Sequence, residues 1–191
     1  MNLEYFQLVD RIVALNLDER RITVHAQIPE ASTIFQGHFP GYPLMPGVLL
    51  IEAMAQTSGW LLTASQNFER MPFLAAVKEA KMRSFVMPGE ALTIDAHIIH
   101  DGSGFAVIEA KISVDGKTRC NATLTLRHTP FPNADLRDHM EATARRIGLQ
   151  PEPIAHGWDP CVTAAARGVD HRHRHRLLAR HRTRYALGSA A

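Results

Sequence analysis

Three groups that could do chemistry lie close together between residues 38 and 56. His38 is a titratable base in a loop rich in proline and glycine. Gly47 follows Pro46 at a predicted helix start, where unpaired N–H groups stabilise negative charge on a substrate oxygen. Glu52 lies within the predicted helix. Together they offer a base, an anion-stabilising helix N-terminus and an acid.

Glu52 is flanked on both sides by leucine, isoleucine, alanine and methionine. An ionised carboxylate buried there costs several kcal/mol unless it is paired, which favours a protonated group that can act as a general acid. Gln56 lies one helical turn further on the same face. Two polar groups stacked in this way predict a polar-lined cavity; the alternative is a carboxylate that faces water or an interface.

His38 and Gly47 each have a plain structural interpretation as well. A single loop histidine is more often a surface or hydrogen-bonded structural residue than a catalytic one. A Pro-Gly pair is also a common way to begin a helix. The residue types alone leave these alternatives open.

The element that carries Glu52 is an apolar stretch from Val48 to Ala64. It is too short and too polar for a bilayer span, and a helix that is apolar on nearly every side is expected to be buried in protein. Two strands around an Asp18-Glu19-Arg20 turn precede it, and four more follow it. A single helix that is apolar all round needs a curved sheet about it. The sequence therefore predicts an α+β fold with about six antiparallel strands wrapped around one long central helix.

Other segments complete the prediction. Alternation and turn residues predict the six strands as 11–17, 21–28, 72–87, 91–100, 105–114 and 117–127, with the last four in meander order. Residues 3–9 suggest a short helix, and the proline-rich stretch 29–46 predicts a long loop that excludes a helix. Asn133 is expected to cap a last helix that runs to about Ile147 and stops at Gly148.

Composition bounds the class of protein. The chain has 191 residues, 46% apolar and 21% charged, which is typical of one soluble globular domain. We expect this domain over residues 1–150 and a basic, unstructured tail without assigned function over residues 151–191. A net charge of +2 does not call for nucleic acid or membrane insertion. Two cysteines cannot build a disulfide framework, which favours a cytoplasmic protein. No motif for a metal or cofactor is visible.

The stretch around these residues resembles a known family signature. It consists of His38-Phe39-Pro40-Gly41-x-Pro43-x-x-Pro46-Gly47-Val48 followed by Glu52. This string is similar to that of the FabZ-type 3-hydroxyacyl-acyl-carrier-protein dehydratases. The resemblance extends over about residues 3–128 and implies a hotdog fold, in which a curved antiparallel sheet wraps a long helix. Shorter strings at residues 71–74, 81–83 and 100–106 look like the branch that handles very-long acyl chains for lipid A.

The resemblance also implies roles for individual residues. His38 and Glu52 are the expected catalytic pair, joined across two subunits of a homodimer or higher homo-oligomer. Gly47, Phe39, Val48 and Gln56 are the expected substrate-binding residues. The implied reaction is loss of water from a 3-hydroxyacyl thioester carried on acyl carrier protein, without cofactor or metal. Glutamate at position 52, where FabA-type enzymes carry aspartate, implies dehydration without isomerisation.

Two other functions fit the same pattern. A hotdog acyl thioesterase would use its carboxylate to direct water onto the thioester carbonyl and would release a free thiol. A non-catalytic acyl-binding module would keep the fold without turnover. Intact His38 and Glu52 weigh against the second alternative.

Overall fold

The computed structural model describes residues 1–149, so the predicted tail over residues 151–191 lies outside the described residues. Within them no helix is long and apolar enough to cross a bilayer. The elements follow the predicted order closely. They are β1 (Arg11–Asn16), β2 (Arg21–Gln27), α1 (Thr33–Gly37), α2 (Gly47–Ser65), β3 (Arg70–Met82), β4 (Ala91–Gly102), β5 (Phe105–Val114), β6 (Lys117–Pro130) and α3 (Ala134–Arg146).

The six strands form one antiparallel sheet in the order β1-β2-β4-β5-β6-β3. Helix α2 packs against β2, β3, β4, β5 and β6, so the sheet curves around it. Nearly every residue of α2 from Ala53 to Ala64 is buried. Two buried hydroxyls on α2 are satisfied within the helix, because Thr57 donates to the Ala53 carbonyl and Ser58 to the Met54 carbonyl. The predicted sheet around a central helix is confirmed.

The predicted meander is confirmed for β4, β5 and β6, which pair in chain order. It is wrong for β3, because β3 pairs with β6 and β4 pairs with β2. Residues 83–90 connect β3 to β4 and cross the molecule between these two strands. The Arg83 N–H donates to the Arg119 carbonyl near the start of β6, over 2.8 Å. The carbonyl at the far end of this segment, on Glu90, accepts from the Ile28 N–H over 3.1 Å. These long-range bonds, which turn residues cannot signal, separate β3 from β4.

Two helix predictions in the first half of the chain are also wrong. Residues 3–9 form no helix; Asn2 and Gln7 exchange two backbone hydrogen bonds of 2.7 and 2.9 Å, which close a turn. We call residues 1–10 the N-terminal turn. The proline-rich loop does contain a helix, α1, whose residues lie between the prolines. Ser32 caps it, since its hydroxyl accepts from the Ile34 N–H over 3.1 Å.

Helix α3 has the predicted caps. The Asn133 side chain accepts from the Leu136 N–H over 2.8 Å, and Gly148 ends the helix with φ +91°. The carbonyl of Ile147 accepts from the Ile12 N–H over 2.8 Å, beside the bulge of β1. This bond ties the end of α3 to the β1 edge of the sheet.

We expect Asn133→Ala to lower the free energy of unfolding by about 1 kcal/mol, because the Leu136 N–H loses its acceptor. Urea denaturation of both proteins measures this difference. Asn133→Ser keeps a side-chain oxygen at the cap and is expected to stay close to the parent protein. Equal stability of the alanine and serine variants would show that the cap contributes nothing.

Candidate active site

His38 lies at the carboxyl end of α1, where its N–H donates to the Ile34 carbonyl over 3.0 Å. Its ring Nδ1 is 3.0 Å from the Leu44 carbonyl oxygen. A carbonyl can only accept, so Nδ1 carries the proton and Nε2 keeps a lone pair. The Leu44 N–H also donates to the His38 carbonyl over 2.8 Å. The loop thus holds the imidazole in the tautomer of a base.

Phe39 stacks on the His38 ring, with 4.3 Å between the ring centroids and 26° between their planes. Its backbone exchanges two hydrogen bonds with Tyr42, of 2.9 and 3.2 Å. Both aromatic side chains are about half exposed. The stacked ring restricts one face of the imidazole and leaves an apolar surface beside it.

Helix α2 begins at Gly47, with Pro46 as the capping residue. The Pro46 carbonyl accepts from the N–H groups of Leu49 and Leu50, whereas the first N–H groups of a helix lack intrahelical acceptors. A Cβ on Gly47 would lie 3.6 Å from the Met82 side chain, so packing within one chain leaves room for a larger residue. Val48 is 71% exposed. The helix start is therefore an open surface with a positive dipole end.

Glu52 and Gln56 lie together on the side of α2 that the N-terminal turn contacts. The Gln56 amide nitrogen donates to Glu52 Oε1 over 3.1 Å and to the Phe6 carbonyl over 2.9 Å. Its amide oxygen accepts from the Leu8 N–H over 3.0 Å. Gln56 therefore anchors the N-terminal turn on α2 and orients the Glu52 carboxylate.

Glu52 is half-buried and lines a cavity of about 750 Å³, so the predicted polar-lined cavity exists and the carboxylate is only partly removed from water. The walls of this cavity come from α2, β3, α3 and the N-terminal turn. The residues that line it include Ala55, Gln56, Gly59, Trp60, Phe73 and Met140. None of His38, Phe39, Gly47 and Val48 lines it.

Helix geometry explains why Gly47 lies apart from Glu52. Glu52 lies five residues after Gly47, which places it about 7.5 Å along the axis and about 140° around the helix. Within one chain the carboxylate of Glu52 lines the cavity, whereas His38 and Gly47 do not. Of the predicted site residues, the structure brings together Glu52 with Gln56, and His38 with Phe39.

Sequence reasoning did not identify Trp60, nor the walls from the N-terminal turn and α3. Trp60 had a signal, since it continues the stripe of Glu52 and Gln56 at the spacing of one helix face. The walls from the N-terminal turn and from α3 had no sequence signal, because their residues are far from α2 in the chain. Leu8 and Gln56 are separated by 48 positions.

The remaining reactive groups do not form a second centre in the described residues. Burial raises the pKa of the Cys120 thiol to about 11, so it is not a nucleophile near neutral pH. The Ser32 hydroxyl lowers the pKa of the Glu4 carboxyl, which helps to hold the N-terminal turn beside α1. No three His, Cys, Asp or Glu residues among positions 1–149 are arranged to hold a metal ion.

Similarity to known proteins covers the part of the chain that carries these residues. A family model described as a FabA-like domain matches residues 1–123. A 3-hydroxyacyl-[acyl-carrier-protein] dehydratase FabZ from Streptococcus thermophilus is 41% identical over 119 residues, 62% of this chain and 83% of the relative. A dehydratase of the same name from Lactococcus lactis subsp. cremoris is 41% identical over 121 residues, with 63% and 83% covered.

Solved structures share the fold at lower identity. A hypothetical thioesterase with coenzyme A from Streptococcus pneumoniae TIGR4 has a TM-score of 0.51 and 18% identity, covering 64% of this chain and 88% of that chain. A conserved protein from Pseudomonas aeruginosa has a TM-score of 0.52 and 21% identity, covering 66% and 91%. At such identities the likeness concerns the fold alone, and it agrees with the predicted α+β hotdog fold.

We expect Gln56→Met to lower the free energy of unfolding by about 1–3 kcal/mol, because the buried Leu8 N–H loses its acceptor. Hydrogen exchange at the Leu8 amide is expected to accelerate in the same variant. Gln36→Met on exposed α1 is the matched control and is expected to change neither quantity. Identical behaviour of the two variants would show that Gln56 does not hold the N-terminal turn.

Proposed function

The chain belongs to the FabA-like family, and we infer that it is a 3-hydroxyacyl-acyl-carrier-protein dehydratase of the FabZ type, a hydro-lyase of fatty acid biosynthesis. The observation that carries this inference is the 41% identity to curated FabZ enzymes over 119 residues. The family match spans residues 1–123 and so includes His38, Gly47 and Glu52. The reaction converts a 3-hydroxyacyl thioester into the trans-2-enoyl thioester and water.

His38 is the proposed base. Its Nε2 takes a proton from C2 of the substrate as the C2–H bond breaks, and the Leu44 carbonyl stabilises the imidazolium that forms, since it accepts from Nδ1–H. The Phe39 ring stacked on the imidazole limits its rotation. The electron pair from C2 forms the new double bond to C3.

Glu52 is the proposed acid. It gives a proton to the C3 hydroxyl as the C3–O bond breaks, and water leaves; the proton held on His38 then restores Glu52, so the protons balance. Gln56 donates to Glu52 Oε1 and leaves Oε2 for the hydroxyl. Gln56 is thus a positioning residue here, although it was expected to bind substrate.

The start of α2 is the proposed clamp for the thioester carbonyl. As C2 loses its proton, negative charge develops on the carbonyl oxygen, and the Gly47 N–H at the positive end of the helix dipole stabilises it. One such donor contributes about 3–4 kcal/mol to transition-state stabilisation. The side chain of Val48, the next residue, is exposed, as is that of Phe39, and both can offer apolar contacts to the substrate arm.

We propose that the complete site forms between two copies of the chain. Within one chain Glu52 lines the cavity and His38 does not. Strand β3 is an edge of the sheet, and it exposes Phe73, Leu74, Val77 and Met82 to solvent. An exposed apolar edge is a template for pairing with another chain. Pairing of two β3 edges supports a dimer in which His38 of one copy meets Glu52 of the other.

The proposed protein partner is acyl carrier protein with its attached 3-hydroxyacyl chain. Met82 at the end of β3 lies against Gly47, and the basic residues Lys81 and Arg83 flank it in sequence. Both are exposed. A basic rim beside the helix start supports docking of an acidic carrier that delivers the thioester to Gly47. The narrower assignment to very-long acyl chains of lipid A stays a prediction, which a series of chain lengths tests.

A dehydration assay with 3-hydroxyacyl thioesters decides the function. We expect enoyl absorbance to appear without free thiol, and His38→Ala or Glu52→Gln to lower kcat at least ~10²-fold without loss of thermal stability. His100→Ala and Glu109→Gln, at exposed positions on β4 and β5, are the matched controls. Thiol release without enoyl product would identify a thioesterase, and binding without either product would identify an acyl-binding module.

The shared site predicts complementation between the two inactive variants. Under conditions of subunit exchange, mixed His38→Ala and Glu52→Gln proteins form dimers with one intact pair, so part of the activity is expected to return. Labelled subunits confirm that exchange occurs. Exchange without recovery of activity would show that each chain holds its own site.

A further inference from the structure

Helix α3 forms a wall of the Glu52 cavity although it lies outside residues 1–123, which the family model matches. Met140 and Thr143 line the cavity from the middle of α3, and Ile147 lines it just after the helix end. These positions are three to four residues apart, so they share one face of the helix. This strip of the cavity wall therefore lies beyond the residues that the family model matches.

The orientation of α3 is set by contacts on its other sides. Ala144 is fully buried against the core, and the Ile147 carbonyl holds the β1 edge through the Ile12 N–H. On the outer face, Glu141 pairs with Arg137 over 3.1 Å and with Arg145 over 3.8 Å. The face with Met140 and Thr143 is thus fixed toward the cavity.

One part of the cavity lining, along α2 and β3, is apolar. Ala55, Gly59 and Trp60 follow Glu52 along α2, and Phe73 faces them from β3. From Glu52 to Trp60 the helix rises about 12 Å, so the apolar lining extends that far from the carboxylate. A Cβ on Gly59 would lie 3.3 Å from Pro72, which marks a narrow place. Polar residues also line the cavity, among them Asn2, Gln7, Asp10, His139 and Arg146. The apolar slot along α2 and β3 fits an unbranched acyl chain whose oxygen-bearing carbons lie at Glu52.

We propose that α3 selects the acyl chain length, with Met140 and Thr143 as the specificity-determining residues on the wall that this helix contributes to the cavity. This rests on the proposed function, because it assumes that the C3 hydroxyl lies at Glu52. A bulkier side chain on this face shortens the slot for long chains only. A smaller side chain lengthens it.

The experiment compares Thr143→Trp with Ala142→Trp, its neighbour on the exposed face of α3. The measured quantity is kcat/KM for 3-hydroxypalmitoyl pantetheine divided by that for 3-hydroxybutyryl pantetheine. We expect Thr143→Trp to lower this ratio at least ~10-fold and Ala142→Trp to leave it unchanged, because a clash in an apolar pocket discriminates by about 10- to 200-fold. Met140→Ala is expected to raise the ratio.

Binding of palmitoyl pantetheine, measured by calorimetry on the same proteins, is the second readout. This readout separates the proposed function from the proposed role of α3. A parent protein that dehydrates neither thioester refutes the proposed function, and the binding measurement still tests whether α3 is a wall of the acyl site. Weaker binding to Thr143→Trp than to Ala142→Trp supports the wall. If Thr143→Trp does not fold, the same ratio and the same binding measurement on Met140→Ala test the proposal. Ratios and affinities equal to the parent in the folded cavity-face variants would overturn the proposal and make α3 a structural cover.

Discussion

Helix α2 is apolar on almost all sides from Ala53 to Ala64, and burial of all its faces requires a sheet that curves around it. Apolar surface contributes about 25 cal/mol per Å² removed from water, so this enclosure is the main source of stability for the fold. The same enclosure decides where polar groups on the helix can lie. Glu52 and Gln56 occupy the first turns of α2, where the sheet ends and the N-terminal turn and α3 complete the wall.

One edge of the sheet is covered and the other is exposed, and this difference has functional consequences. The β1 edge is closed by the end of α3, through the bond between Ile12 and Ile147. The β3 edge is open and carries apolar side chains. The closed edge stabilises the single chain, whereas the open edge, whose Phe73 also lines the cavity, is suited to a second copy. Within one chain Glu52 lines the cavity and His38 does not, which is consistent with a site completed by pairing.

Hydrogen bonds orient the reactive groups before any substrate binds. The Leu44 carbonyl fixes the proton on Nδ1 of His38, and Gln56 holds one oxygen of Glu52. The first partner belongs to the proline-rich loop, and the second is a side chain one turn further along α2. Such preorganisation lowers the reorganisation needed as charge develops in the transition state.

The local sequence determined the elements whose signals lie within a few residues. The hairpin of β1 and β2, the long central helix, the caps of α3 and the i, i+4 pair of Glu52 and Gln56 could all be predicted from periodicity and cap chemistry. The signature that joins His38 to Glu52 was also readable, because it is contiguous. Each of these features depends on neighbours close in the chain.

Tertiary structure alone decided the place of β3 in the sheet, the N-terminal turn and the walls of the cavity. Strand β3 lies beside β6 through a long antiparallel ladder. The bond between Leu8 and Gln56 holds the N-terminal turn on α2. Periodicity predicted α3 and did not predict that its Met140 face would line the Glu52 cavity. These outcomes depend on contacts between residues that are far apart in the chain, and such contacts leave no periodic or turn signal in the sequence.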